Sequence, residues 1–262
     1  MSRETGRLTV LHLSDVHATS SGLLYDTVDG FARLRAVGAY LRDARITPEA
    51  IVVTGDLVQR GNAAAYPALR DAFDELSETA GVPVLTALGN HDEPDAARVL
   101  RGHERTHHRV YLIDELRFVI LDSSRGELGT DQRAWLRDVL RTPHGSGTVV
   151  GRKHAPQGCP LPTQAKAGLR DGDDFLDDMT GSDVRAVLAG HFHHPLSATL
   201  RGIPVFVGPS LAYHQVMDAG PNRVSGHDLA MFSLVHLLQR GVAVTNVGLD
   251  SPAPIFSSVI ST

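Results

Sequence analysis

Five short segments carry the residues that could do chemistry, and each follows an apolar run. They are Asp15-Val16-His17, Gly55-Asp56, Gly89-Asn90-His91-Asp92, His154-Ala155-Pro156 and Gly190-His191-Phe192-His193. Neutral imidazole is the commonest side-chain metal ligand, and a carboxylate can bridge two cations. Taken together, Asp15, His17, Asp56, Asn90, His154, His191 and His193 offer seven nitrogen or oxygen donors, with His91 beside them. Such a set is large enough for two ions and too large for one. Mixed imidazole and carboxylate ligation suits Fe, Mn or Zn and argues against a pure Mg²⁺ site. No cysteine belongs to the set, so a structural zinc site of the cysteine type is excluded. Two cations about 3.5–4 Å apart are the usual device for displacement at phosphorus. Singly, each segment has a plainer reading: Asp15 and Asp56 as turn formers, Asn90 as a helix cap, His191 and His193 as a solvated turn. The metal reading requires that all five meet in one place.

The elements that must bring them together are legible. Apolar β-rich runs cover Leu8–Ser14, Ile51–Thr54, Val84–Leu88, Thr148–Val150 and Val184–Ala189, and each ends at one of the five segments. Helical spacing of apolar residues predicts helices over 27–45 (Phe31, Leu34, Val37, Leu41) and 62–80 (Tyr66, Leu69, Phe73, Leu76). Gly81 is expected as a C-cap. A short helix over 94–101 and a longer one capped by Thr130 and running to Arg141 follow, with Trp135 and Leu136 facing inward. Another helix covers 171–179. Further strands are expected at 110–113, 117–121, 196–200, 204–207, 229–237 and 242–247. Loops at 18–30, 92–108, 155–170 and 209–227 would set specificity. Alternation of strand and helix implies an α/β class with helices outside the sheet, and in such folds ligands bind beyond the carboxyl ends of the strands.

Composition excludes several classes. The chain has 262 residues, 42% hydrophobic and 21% charged, which fits one large domain. A net charge of −5 leaves no basic footprint for a nucleic acid polymer. No apolar run is long enough for membrane insertion and no signal segment stands at the start, so a cytoplasmic location is expected. The single cysteine, Cys159, rules out an internal disulfide and is expected to pack in its loop. Lysine occurs only at Lys153 and Lys166 among many arginines, which reads as compositional bias.

The order Asp-x-His, Gly-Asp, Gly-Asn-His-Asp, His and Gly-His-x-His, from Asp15 to His193, resembles the calcineurin-like metallophosphoesterase family. The stretch 190–197 with Gly202-Ile203-Pro204-Val205 is similar to that family's class III 3′,5′-cyclic nucleotide phosphodiesterases. The resemblance implies an αββα sandwich of two mixed β-sheets flanked by helices over residues 1–250, with 251–262 as a tail. It implies two transition metal ions (Fe, Mn or Zn): Asp15, His17 and His193 would hold the first, Asn90, His154 and His191 the second, and Asp56 would bridge them. His91, Asn90 and Asp56 would be the catalytic residues, with His91 protonating the leaving oxygen. The implied reaction is hydrolysis of cAMP or cGMP to the 5′-monophosphate by in-line attack of a metal-bridging hydroxide. A broader phosphodiesterase or phosphomonoesterase, acting on glycerophosphodiesters or 2′,3′-cyclic nucleotides, is the alternative. An inactive regulatory scaffold is disfavoured because every ligand position is filled. The partner is a small-molecule phosphodiester, and the apolar tail is compatible with a homodimer.

One segment departs from the family pattern. Val149-Val150-Gly151-Arg152-Lys153-His154 puts two cations where an apolar strand is usual, so either that strand end is exposed or the second metal is bound weakly. Among the remaining histidines, His12 is expected to be structural and His103, His107 and His108 to form a solvated face. His194 is expected outside the ligand set. His214, with Tyr213, follows a strand end that could reach the cleft.

Overall fold

The computed structural model describes residues 7–161, 164–216, 223–250 and 255–256. Its strands gather into two large mixed sheets and one small hairpin. The first sheet has the order β13-β12-β1-β2-β3, built from β1 (Leu8–Ser14), β2 (Ala50–Thr54), β3 (Val84–Thr86), β12 (Met231–Leu238) and β13 (Gly241–Gly248). The second has the order β4-β5-β6-β7-β9-β8: β4 (Arg109–Ile113), β5 (Leu116–Ile120), β6 (Gly147–Gly151), β7 (Val184–Ala189), β8 (Leu196–Leu200) and β9 (Ile203–Val207). The hairpin pairs β10 (His214–Val216) with β11 (Ser225–His227). In both sheets the central strands are parallel: β1-β2-β3 in one and β5-β6-β7-β9 in the other.

Alternate residues on a strand face opposite sides, and here each side has its own core. Val10, Val52 and Leu85 of the first sheet pack directly on Phe118, Val149 and Leu188 of the second. The intervening residues Leu11, Leu13, Ile51 and Val53 pack outward on α1 (Gly30–Asp43) and α2 (Tyr66–Ala80) through Leu34, Leu41, Leu69 and Phe73. On the far side, Val119, Val150 and Val187 meet α3 (Gly129–Leu140) and α4 (Gly172–Met179) through Leu136, Phe175 and Leu176. Such side chains contribute about 1.5–3 kcal/mol each on full burial. The arrangement is the expected αββα sandwich.

Local signals explain most element ends. Asp29 caps α1 by accepting from the Ala32 N–H, and Gly81 ends α2 in the left-handed conformation at φ 69°. Two expectations need correction. Thr130 is not the cap of α3: the Asp171 carboxylate, 43 residues away from Leu128, accepts from the Leu128 and Gly129 N–H groups instead. A tertiary partner has replaced a local one. The helix expected over 94–101 is only a 3₁₀ turn at Ala96–Val99. Most of the tail from 251 lies outside the described residues.

Candidate functional site

The parallel strands β1, β2, β3, β6 and β7 all deliver their carboxyl ends to one edge of the sandwich. Beyond β1 the chain turns sharply at Asp15 (φ 52°) and His17 (φ 49°), and beyond β7 at His191 (φ 84°) and His193 (φ 54°). Left-handed backbone is uncommon for such residues and clusters at functional sites. Close approach is the reason for the glycines. A Cβ on Gly55, itself at φ 90°, would lie 2.5 Å from the Asp15 carboxyl carbon, and one on Gly190 would lie 2.6 Å from Asp15 Oδ2.

Asp15 and Asp56 form the centre. Both are buried. Asp15 Oδ1 accepts from the Asp56 N–H at 3.1 Å, and Asp15 Oδ2 from the His191 N–H at 2.8 Å and from the Ser14 hydroxyl. Asp56 Oδ1 accepts from the His91 N–H at 2.8 Å. Around these carboxylates stand His17 and His193, whose Nε2 atoms are 3.2 Å apart. His17 Nε2 is 3.6 Å from Asp56 Oδ2, and His193 Nε2 is 3.5 Å from Asp15 Oδ1. Donor atoms of Asp15, His17 and His193 all lie within 4.8 Å of one another, as do those of His17, Asp56 and His91.

The neighbours fix the tautomers. His17 Nδ1 donates to Gln59 Oε1 at 2.7 Å, and His193 Nδ1 donates to the Tyr213 carbonyl at 3.2 Å. Each Nε2 lone pair is therefore free to face a cation, the usual arrangement behind a metal-binding histidine. Burial pushes the His17 imidazole down to about 4, which keeps it neutral. The same Gln59 oxygen accepts from His91 Nδ1 at 3.1 Å. His91 is part-exposed at the rim, with Nε2 3.9 Å from Asp56 Oδ2, and burial lowers its pKa as well.

The rings of His154 and His191 stand 4.6 Å apart. His154 is anchored by its N–H to Ser123 Oγ at 3.1 Å. Burial, then the nearby Lys153 charge, lowers His154 to about 4 and His191 to about 2. His154 Nδ1 and Asn90 Oδ1 are buried polar atoms with no hydrogen-bond partner among the described residues. Unpaired buried acceptors of this kind are costly unless an ion or other ligand completes them. The donor chemistry, the freed Nε2 atoms and these two orphans all fit metal ions.

Of the two alternatives for the segment 149–154, exposure of the strand end fails. The end of β6 is not exposed: Arg152 and Lys153 are fully buried. The chain continues alongside β7, with Arg152 N–H on the Leu188 carbonyl and Gly190 N–H on the Lys153 carbonyl. Their side chains leave on opposite sides. Arg152 lies over the Phe175 ring at 3.9 Å. Lys153 enters the site, its Nζ 2.7 Å from Asp15 Oδ1 and 2.6 Å from Asp56 Oδ2. Burial opposes its charge, but the two carboxylates more than offset that and hold its pKa above the ordinary lysine value. For Asp56 burial works upward, yet Lys153 and His17 bring it down to about 2; Asp15 is held well below the usual carboxylate range in the same way. A residue that reads as compositional bias thus sits at the heart of the site. The signal that could have found it was its rarity, one of two lysines, beside a ligand histidine.

Other residues missed by motif reading are structural supports. Asp92 accepts from the N–H groups of Leu57, Val58 and Gly89 and from the Tyr66 hydroxyl, tying the β2 and β3 turns together. Of the pair at 213–214, Tyr213 reaches the site, its ring 4.3 Å from that of His193; His214 belongs to the hairpin, 6.4 Å from His194. His103 is not solvated. It is buried, with Nε2 2.8 Å from Thr86 Oγ1 and Nδ1 3.0 Å from His107 Nδ1. His108 packs on Trp135 at 4.7 Å. His12 is structural as expected, buried and bonded to Thr54 Oγ1 at 2.8 Å. Cys159 is buried against His194, Sγ to Nε2 3.3 Å.

The calcineurin-like phosphoesterase family profile matches residues 8–228, from β1 to the segment after the hairpin. The chain belongs to that family. It is accordingly a metal-dependent phosphoric ester hydrolase. A probable cyclic nucleotide phosphodiesterase of Rhodococcus erythropolis is 36% identical over 252 residues, covering 92% of this chain and 84% of the relative. A cAMP/cGMP dual specificity phosphodiesterase of Mycobacterium tuberculosis is 35% identical, covering 87% and 75%. Among solved structures, a dimetal phosphatase from Danio rerio superposes with a TM-score of 0.60 at 14% identity, covering 93% of this chain and 96% of that one. That last likeness concerns the fold alone. No helix among the described residues is long and apolar enough to cross a membrane.

Proposed function

We propose that the protein is a phosphodiesterase hydrolysing 3′,5′-cyclic nucleotides to 5′-monophosphates at a transition-metal centre of Fe, Mn or Zn. The carrying observation is the grouping of Asp15, His17, Asp56 and His193 at the strand ends, with His154 and His191 paired there, in a chain 36% identical to a relative of that name. Metal ions bound there would polarise the phosphate and make a water molecule nucleophilic near neutral pH. Asp15, His17 and His193 would hold one ion, Asn90, His154 and His191 would face a second position, and Asp56 would lie between. Their geometry is set by backbone N–H groups and fixed tautomers, so little reorganisation is needed on binding.

His91 would handle the leaving-group proton. Gln59 Oε1 holds its Nδ1–H, so Nε2, 3.9 Å from Asp56 Oδ2, is the basic nitrogen that would take up a proton and pass it to the leaving oxygen. A groove of about 560 Å³ is lined by Tyr25, Tyr213 and Gln215 among others, and the Tyr213 ring lies 4.3 Å from that of His193. The Tyr25 and Tyr213 rings are 5.6 Å apart, and such faces favour a flat nucleobase over a bare phosphate or a glycerol head group. Arg33 steadies this wall by donating to the Leu211 carbonyl at 2.7 Å and to the Ala212 carbonyl and Asp228.

The test is a panel of 3′,5′-cAMP, 2′,3′-cAMP, a glycerophosphodiester and a phosphomonoester compared by kcat/KM with Mn²⁺. The 3′,5′-cyclic nucleotide should lead; a glycerophosphodiester in first place overturns the assignment. His91→Ala should keep its bound metal and lose roughly 10²–10³-fold in kcat, whereas loss of metal would remove His91 from the proton-transfer role.

A further inference from the structure

The seven-donor set contains a cation of its own. Lys153 Nζ lies 2.6 Å from Asp56 Oδ2, the free oxygen of the carboxylate that would stand between two ions, and 2.7 Å from Asp15 Oδ1. Both contacts are fully buried. Among ligands of the first position, the imidazoles of His17 and His193 approach these same two oxygens. The ammonium therefore occupies the carboxylate pair that two metal ions would have to share.

We propose that Lys153 serves as a fixed positive charge in place of one of the two metal ions, so that the chain binds one ion tightly rather than two. An ammonium has three donors. Two are taken by Asp15 and Asp56. Asn90 Oδ1 and His154 Nδ1 remain as weak acceptors for a second ion, which the like charge of Lys153 makes roughly 100-fold weaker or more. The inference rests on the ligand set of the proposed function, but its readout is bound metal rather than turnover, so the two can fail separately.

The experiment is elemental analysis after loading with excess Mn²⁺ and gel filtration. Wild-type protein should retain one ion per chain, with an isolated-Mn²⁺ EPR spectrum. Lys153→Met should retain two and give the multiline spectrum of an exchange-coupled pair. Two tightly held ions in the wild type overturn the proposal, as does a Lys153→Met protein that still holds one. Should the methionine variant fail to fold, Lys153→Gln takes its place, and the wild-type stoichiometry decides by itself.

Discussion

The two sheets bring opposite chemistry to the same edge. From β1, β2 and β3 come all the acids and the amide, Asp15, Asp56, Asn90 and the supporting Asp92, together with the imidazoles of His17 and His91. From β6 and β7 come the bases and cations: Arg152, Lys153, His154, His191 and His193. On the first sheet every carboxylate oxygen of Asp15, Asp56 and Asp92 accepts at least one hydrogen bond, most of them from backbone N–H groups. On the second, all three guanidinium nitrogens of Arg152 are buried with no hydrogen-bond partner among the described residues, and burial pulls its pKa down to about 9. The acidic wall is satisfied largely by backbone N–H groups, and on the basic wall Lys153 is satisfied by facing the acidic one. Charge pairing across the seam, more than either sheet alone, positions the site.

The largest way to break that pairing is Asp56→Asn. It removes the anion that faces Lys153 and stands between the two ligand groups. We expect metal retention to fall and kcat/KM to drop by about 10³-fold or more. Urea unfolding should show a loss of about 3 kcal/mol, the cost of leaving a buried charge half-paired. Unchanged stability would mean that Lys153 does not depend on Asp56.

Arg152→Met sharpens the contrast from the basic side. Methionine keeps the packing on Phe175 and deletes a buried charge with no hydrogen bond, so stability should rise by about 1–3 kcal/mol. A fall of similar size would reveal a partner that matters more than the stacking. The smallest effect belongs to His103 beside β3, a buried histidine outside the ligand groups. Burial, then His107, lowers its pKa from 6.5 to about 4. The unfolded chain takes up this proton below 6.5 and the folded one only near 4, so the native state loses stability as pH falls between those values. About 2–3 kcal/mol should disappear between pH 7 and 4.5. His103→Gln should flatten that part of the urea-midpoint profile; an unaltered slope assigns it to other groups.

The seam also marks what was legible in the chain. Strands ending in Asp15, Asp56, Asn90, His154 and His191 could be read because motif and element coincide within a few residues. The periodicity of Leu34-Val37-Leu41 and of Leu69-Phe73-Leu76 gave the outer helices. What could not be read depends on contacts between distant segments. Asp171 capping α3 is one case, and His103 finding Thr86 is another. Lys153 is the sharpest: in sequence it is a cation interrupting an apolar run, which argues for an exposed strand end. Only the facing sheet, 138 residues earlier at Asp15, turns that cation into a buried and paired group. The hairpin of β10 and β11 was hidden for a different reason, since three-residue strands carry too little alternation to recognise.

The clasp between the sheets has a consequence for how the molecule opens. Lys153 and the His191 N–H both reach from the second sheet to carboxylates of the first. Neither sheet can part at this edge without stranding buried charge on both. Amide protons of β1, β2, β6 and β7 should consequently exchange through one shared opening event, close to global unfolding. The outlying strands β8 and β13, with alternate residues turned to solvent, can exchange by smaller local openings. The place where phosphate chemistry would occur is then also the place where two half-proteins become a single cooperative unit.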